Sequence, residues 1–336
     1  MKIRSTIGVL AASLLVVALA ATVPAAEART LKVNSYVQPG SVPAKQLERF
    51  KQLVEEGSGG ELEIRVFTDG ALGGQQESLE NLRTGTLELY AEALSYYATL
   101  IPEELGITTL MYFFSDNEHL RRYLTSDFFQ KAHEEKLIGK HGVRFISTEF
   151  RGFRGPYRVF VSTKPIMGVE DLDGIKMRLW PNDVIIRQWR HLGAVPAVLA
   201  WTEVYLALRQ GTIEAVTAPL SVLPQTNFTE VARYVTELRQ FPQVLPMTVS
   251  EKVWQELPAA QQQLLVDAAN RSLAEYTEQV FSTASANKQS MIREHDAVFI
   301  QVNTDPFREA MAPLYESLIE EGVIDKAAFD AANALR

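Results

Sequence analysis

The sequence predicts an α/β protein of two lobes with one long helix crossing both. Strand-like and helix-like segments alternate in two separate stretches, before and after about residue 155, which is the pattern of parallel strands covered by helices. A helical pattern of roughly 35 residues follows; at the α-helical rise it spans roughly 50 Å, more than one small domain. The chain of 336 residues suits two domains of ordinary size.

In the first stretch, residues 30–37 alternate apolar and polar side chains, the period of a strand. Pro39, Gly40 and Ser41 break it. Residues 42–56 then carry Leu47, Phe50, Leu53 and Val54 at helical spacing and stop at Gly57. Residues 61–67 alternate again, 69–74 form a glycine-rich turn, 75–84 read as a helix closed by Gly85, and 87–91 as a short apolar strand. After Pro102 the segment 105–114 is apolar and aromatic. Residues 117–124 and 127–138 read as helices and 142–148 as a strand.

In the second stretch, 157–162 and 174–179 read as strands. Residues 182–192 are helical and stop at Gly193. Residues 202–210 are helical, with Thr202 as expected N-cap and Glu203 in the first turn, and stop at Gly211. Residues 213–217 form a strand. Pro258 opens the long helical pattern, which reaches about Arg293; the alternative is two helices with a break near 282–285. Residues 305–322 form a last amphipathic helix. The expected lobes are 30–155 with about 244–283, and 156–243 with about 284–336.

Residues 1–28 differ in kind from the rest. Lys2 and Arg4 precede an apolar run from Ile7 to about Val23, and Ala26-Glu27-Ala28 supplies small residues at the spacing of a cleavage site. These are the parts of a secretory signal peptide, so export from the cytoplasm is expected. No later apolar run reaches membrane-spanning length.

Composition narrows the function. There is no cysteine, hence no disulfide framework and no thiolate chemistry. The net charge is −8, or −9 without Lys2, Arg4 and Glu27, which disfavours nucleic acid as a partner. The five histidines are scattered, with none three or four residues from another, so no metal site is expected. Neither a G-x-S-x-G elbow nor a phosphate loop is present. No cofactor is expected, and a binding role is favoured over an enzymatic one.

The positive signal is arginine. Arg158 and Arg178 fall in short strands of the second lobe, and Arg178 sits among Ile175, Met177 and Leu179 before Trp180-Pro181. A guanidinium fork matches a carboxylate with two parallel hydrogen bonds. Ligand crevices of open α/β sheets lie at the carboxyl ends of strands, where Arg178 falls. A structural salt bridge is the competing role. Trp201, just before a well-capped helix, is either core or pocket wall.

The stretch 169–216 carries VEDLDGIKMRLWPND and then LGAVPAVLAWTEVYLALRQGTIEAV. It resembles the DctP-type solute-binding proteins of tripartite ATP-independent periplasmic (TRAP) transporters, with further likeness at 53–67, 71–74 and 102–114. The resemblance implies a periplasmic binding protein of the Venus-flytrap type, expected as a monomer, that binds a small organic acid (a carboxylate) in an interlobe cleft and delivers it to TRAP-type membrane permease subunits. A ligand-binding partner of a sensor system and a periplasmic enzyme are the alternatives. The resemblance also implies that Arg178, in the K-x-R element, binds the ligand carboxylate. Arg158 is the second arginine, with Arg154 as its competing alignment. Trp180, Trp201, Tyr96 and Tyr97 are expected to line the cleft, and Gln75, Thr217 and Ala218 occupy matching positions. Ala218 stands where the family often has an asparagine, which points to a ligand less polar than a sugar acid. Ala200 replaces a usual proline.

Overall fold

The structure is a computed structural model that describes residues 28–336. The expected signal peptide lies outside the described residues except for Ala28.

The chain forms β1 (Arg29–Ser35), β2 (Leu62–Phe67), β3 (Leu89–Ala91) and β4 (Val143–Phe145), then β5 (Arg158–Ser162), β6 (Lys176–Leu179), β7 (Val195–Val198), β8 (Ala215–Pro219) and β9 (Tyr234–Thr236). It ends with β10 (Met247–Ser250) and β11 (Val298–Ile300). Two sheets result, ordered β2-β1-β3-β10-β4 and β11-β9-β5-β8-β6-β7. The α/β expectation holds, with two sheets in two halves. Pairing is parallel where helices cross over (β1 with β2 and β3, β6 with β7 and β8) and antiparallel where β10 and β5 join. Strands β7, β9, β10 and β11 were absent from the sequence reading, since runs of three or four residues carry too little alternation to register.

The chain changes sheet three times. It leaves the first after β4, returns for β10, and crosses again through the helix Ala259–His295. The first two crossings run side by side. Phe153 and Val244 form an antiparallel bridge, Arg154 N–H donates to Gln243 O (2.9 Å) and Leu245 N–H to Gly152 O (2.7 Å). The third is one unbroken helix of 37 residues, so the alternative break near 282–285 is not present. Its Leu265, Ala269, Leu273 and Tyr276 pack in the core of the first sheet, and its Met291 in that of the second.

Local chemistry explains most boundaries. Ser41 Oγ accepts from Ala44 N–H (3.3 Å) to open Val42–Gly57, and Gly85, at φ 80°, closes Gln75–Thr84. Asn182 Oδ1 accepts from Ile185 N–H (3.0 Å) and starts Asp183–His191 directly after the Arg178 strand. Thr202 is not the cap expected. The helix Val204–Arg209 is preceded by a tighter turn, Trp201–Glu203, and Glu203 reaches back to accept from Ala200 N–H (3.0 Å). Past Ala132, the helix begun at Asp127 widens into a π turn, His133–Ile138, where His133 Nε2 accepts from Phe145 N–H (3.0 Å). The C-terminal part divides. Val298–Ile300 joins the second sheet, whereas the helix Lys326–Asn333 packs on Asn117–Leu124, with His119 Nε2 bonded to Ala332 O (2.8 Å).

Candidate functional site

Between the two halves lies a cleft of about 450 Å³ of empty space, partly open to solvent. Its walls come from strand ends, as the switch between two α/β sheets dictates. Tyr36 and Val37 follow β1, Glu92 follows β3, Trp180 follows β6 and Pro219 ends β8. Strand β5 runs antiparallel to β8, so its first residue, Arg158, pairs with Pro219 and enters from the same edge.

Arg178 alternates with Met177 and Leu179, which face the core, and points the other way into the cleft. Its Nε donates to Leu199 O (2.9 Å), which orients the fork, and its Nη2 reaches Tyr96 Oη from the opposite half (3.5 Å). The guanidinium lies 5.3 Å from the Trp201 ring. Arg158 is held more fully. Nε donates to Thr217 Oγ1 (3.3 Å), Nη2 to Thr217 O (2.7 Å) and Nη1 to Gln243 Oε1 (2.7 Å), between the rings of Trp180 and Phe241. Thr217 Oγ1 in turn donates to Gln240 Oε1 (2.7 Å). Arg154 arrives on the first crossing segment, with Nη1 3.7 Å from Glu92 Oε1.

Charge is what sets this cleft apart. Arg158 and Arg178 are 3% and 2% exposed, and among the described residues neither forms an ion pair. Glu92, the one carboxylate in the cleft wall, is committed to Arg154, to Ala93 N–H (2.7 Å) and to Gln75 Nε2 (3.3 Å). Burial first, and then the neighbouring Arg154, push the Arg158 guanidinium down to about 9, with Arg178 adding to the effect. Three cleft donors, Ser95 Oγ, Arg154 Nε and Trp180 Nε1, have no partner among the described residues. The arrangement is a desolvated cationic box with unused donors, suited to hold a small anion.

The structure brings together Arg178, Arg158, Arg154, Trp180, Trp201, Tyr96, Thr217 and Gln75 in this one wall. It leaves out two expected residues. Ala218 is fully buried in the core with Val159 and Val216, because strand alternation turns Thr217 and Pro219 to the cleft and Ala218 away. The reading of a less polar ligand therefore loses its basis. Tyr97 is likewise core, its hydroxyl 3.0 Å from Thr248 Oγ1. Sequence reasoning missed Tyr36, Val37, Glu92, Ser95, Pro219 and Gln243. The strand-end rule that located Arg178 would also have located Tyr36, Val37 and Glu92; Gln243, on a crossing segment, leaves no local signal.

Residues 33–321 match the family model of the bacterial extracellular solute-binding proteins, family 7. The chain belongs to that family. It is 28% identical over 327 residues to the sialic acid-binding periplasmic protein SiaP of Vibrio cholerae, covering 96% of this chain and 99% of the relative. It is 26% identical over 325 residues to the C4-dicarboxylate-binding periplasmic protein DctP of Rhodobacter capsulatus, covering 94% and 95%. The fold matches a TRAP periplasmic solute-binding protein of Shewanella oneidensis with bound succinate, at TM-score 0.82 and 20% identity, covering 92% of this chain and 99% of that one. The family 7 fold is thus the one the sequence motifs pointed to.

Proposed function

We propose that this family 7 protein is the extracytoplasmic receptor of a TRAP-type membrane permease, and that it captures a small organic acid between its two halves. The observation that carries this reading is the pair of buried guanidinium groups, Arg158 and Arg178, without a carboxylate of their own in the cleft. Burying an unpaired charge opposes folding, so a site that keeps two of them is built for an incoming anion. Arg178 presents its Nη edge to the carboxylate, while Arg158, already anchored by Thr217 and Gln243, adds charge and one further donor. Trp180 and Trp201 form the walls and stack on the two guanidinium groups. The segments around Gly152 and Leu245 act as hinge strands, and closure presents a surface to the permease. The protein is a monomeric receptor rather than an enzyme, exported to the periplasm by its leader.

A thermal-shift screen over small carboxylates and matched sulfonates tests the reading. At least one acid raises the melting temperature by several degrees, since a ligand at 100 times its Kd adds about 2.7 kcal/mol to stability. The same acid is recovered unchanged by mass spectrometry. No shift with any small acid, or turnover of the bound one, contradicts the proposal.

A further inference from the structure

The two halves exchange side chains at one place beside the cleft. Between the short helix Pro102–Leu105 and the helix Asn117–Leu124, the chain packs Leu105, Ile107 and Leu110, and then Phe113 and Phe114, into the core of the first half. Met111 and Tyr112, between them, pack instead with Trp189, Phe307 and Met311 in the core of the second half, and are 1% and 7% exposed. The exchange is mutual, since Val184 and Leu318, on helices of the second half, join the core of the first.

The main chain of this pair is held on every side. Gln188, fully buried, accepts from Met111 N–H at Oε1 (2.7 Å) and donates from Nε2 to Thr109 O (2.9 Å). Tyr315 Oη donates to Met111 O. Tyr112 N–H donates to Gln240 O (2.6 Å), and Arg308 Nη1 donates to Tyr112 O (3.1 Å). Tyr112 sits at φ 65°, a left-handed conformation that bulky residues seldom adopt, fixed by these bonds to the peptide groups on both sides of it. Drawing the pair out exposes two large side chains and strands four main-chain groups. Nearer the ligand space the bonds are longer, 3.5 Å from Arg178 Nη2 to Tyr96 Oη and 3.3 Å from Asn182 Nδ2 to Ser95 O, and part more readily. The tight contacts also share one chain segment. Gln240 O takes the Tyr112 N–H and, three residues on, Gln243 O takes the Arg154 N–H (2.9 Å) of the paired crossing. Two fixed points define an axis.

We infer that Met111 and Tyr112 form a permanent clasp, and that the halves open by rotating about a line through this clasp and the paired crossing segments. The inference rests on the receptor reading and adds where the cleft opens. Rotation about that line leaves the clasp intact and parts the far rim, the hollow where Gln38 and Asp69 of the first half face Thr202 and Tyr205 of the second. The acid enters and leaves there, past Trp201, which the hollow shares with the cleft. Gln188 is the positioning residue of this device, because its one side chain holds main-chain groups on both sides of Leu110.

Pulsed EPR distances between paired spin labels test the inference, and the cysteine-free chain offers no competing label site. Ala71→Cys, in the turn of Asp69, with Thr202→Cys spans the far rim; Glu118→Cys with Arg190→Cys spans the clasp, and all four positions are exposed. Each labelled mature protein is measured alone and with succinate, L-lactate and D-glucuronate in turn. With an acid that binds, the rim distance falls by several ångströms and the clasp distance by no more than about one third as much, because displacement grows with distance from a rotation axis. Gln188→Met, close in volume but without either hydrogen bond, widens the clasp distribution; a rim response retained in that variant shows that it is folded. A clasp distance that changes as much as the rim distance, or a clasp distribution unaltered by Gln188→Met, overturns the inference. If neither distance responds to any of the acids, the halves do not close on an acid, and the receptor reading fails with it.

Discussion

Arg178 combines two opposed properties. It is buried among apolar neighbours, and its one short hydrogen bond goes to a backbone carbonyl. Such a residue weakens the fold in order to bind, a trade seen wherever a site is strained for function. Arg178→Met should therefore raise the melting temperature of the ligand-free protein, by about 2 °C if about 1 kcal/mol of electrostatic cost is relieved, while abolishing the ligand-induced shift. A fall in melting temperature shows instead that Arg178 is a structural strut. Arg158 differs, since Thr217 and Gln243 accept three hydrogen bonds from it; Arg158→Met strands those acceptors and should destabilise the protein by about 1–3 kcal/mol in chemical denaturation. At this scale the sequence spoke clearly where a charge interrupted an apolar strand. It misled at Ala218, where an error of one residue along a strand turns a side chain to the opposite face.

Among the elements, the paired crossing segments and the π turn make separate predictions. A Cβ on Gly152 would lie 2.6 Å from Leu245 O and 2.8 Å from Leu273 Cδ2, between the paired crossing segment and the long helix. Gly152→Ala should cost about 1–3 kcal/mol, read from thermal or urea denaturation, because backbone on one side cannot yield. In the π turn, burial first and Arg144 second lower the His133 pKa from 6.5 to about 4. Between those values the unfolded chain binds a proton that the folded one excludes, so stability falls as pH falls from 6.5 towards 4. The loss amounts to about 3 kcal/mol at about 1.4 kcal/mol per unit. His133→Gln keeps an acceptor for Phe145 N–H without titrating, and should remove most of that acid sensitivity in denaturation series at pH 4 and 7. The helices Val42–Gly57, Gln75–Thr84 and Asn117–Leu124 were legible because caps and periodicity agree there. The π turn was not, since hydrogen bonds to the fifth residue leave no signature in side-chain spacing.

At the scale of the molecule, the halves are joined beside the cleft by short hydrogen bonds, Met111 N–H to Gln188 Oε1 (2.7 Å) and Gln188 Nε2 to Thr109 O (2.9 Å), and those nearer the cleft are longer. Arg178 Nη2 to Tyr96 Oη is 3.5 Å and Asn182 Nδ2 to Ser95 O is 3.3 Å, both long hydrogen bonds. A ligand that bonds both halves favours the closed arrangement further, so small-angle scattering should show a smaller radius of gyration with bound acid than without. The two-lobe plan was readable from repeated strand–helix alternation and from the uninterrupted long helix. The triple crossing between sheets was not, because β10 and β11 pair with strands far earlier in the chain. The convergence of Arg154 and Gln243 on one space depends on that threading. The most direct measurement is a calorimetric titration of the best acid from the screen into wild-type, Arg178→Ala and Arg178→Lys proteins. We expect Arg178→Ala to lose at least about 100-fold in affinity, about 2.7 kcal/mol, with Arg178→Lys in between for want of a planar fork. Wild-type affinity in Arg178→Ala would mean that the ligand is held elsewhere.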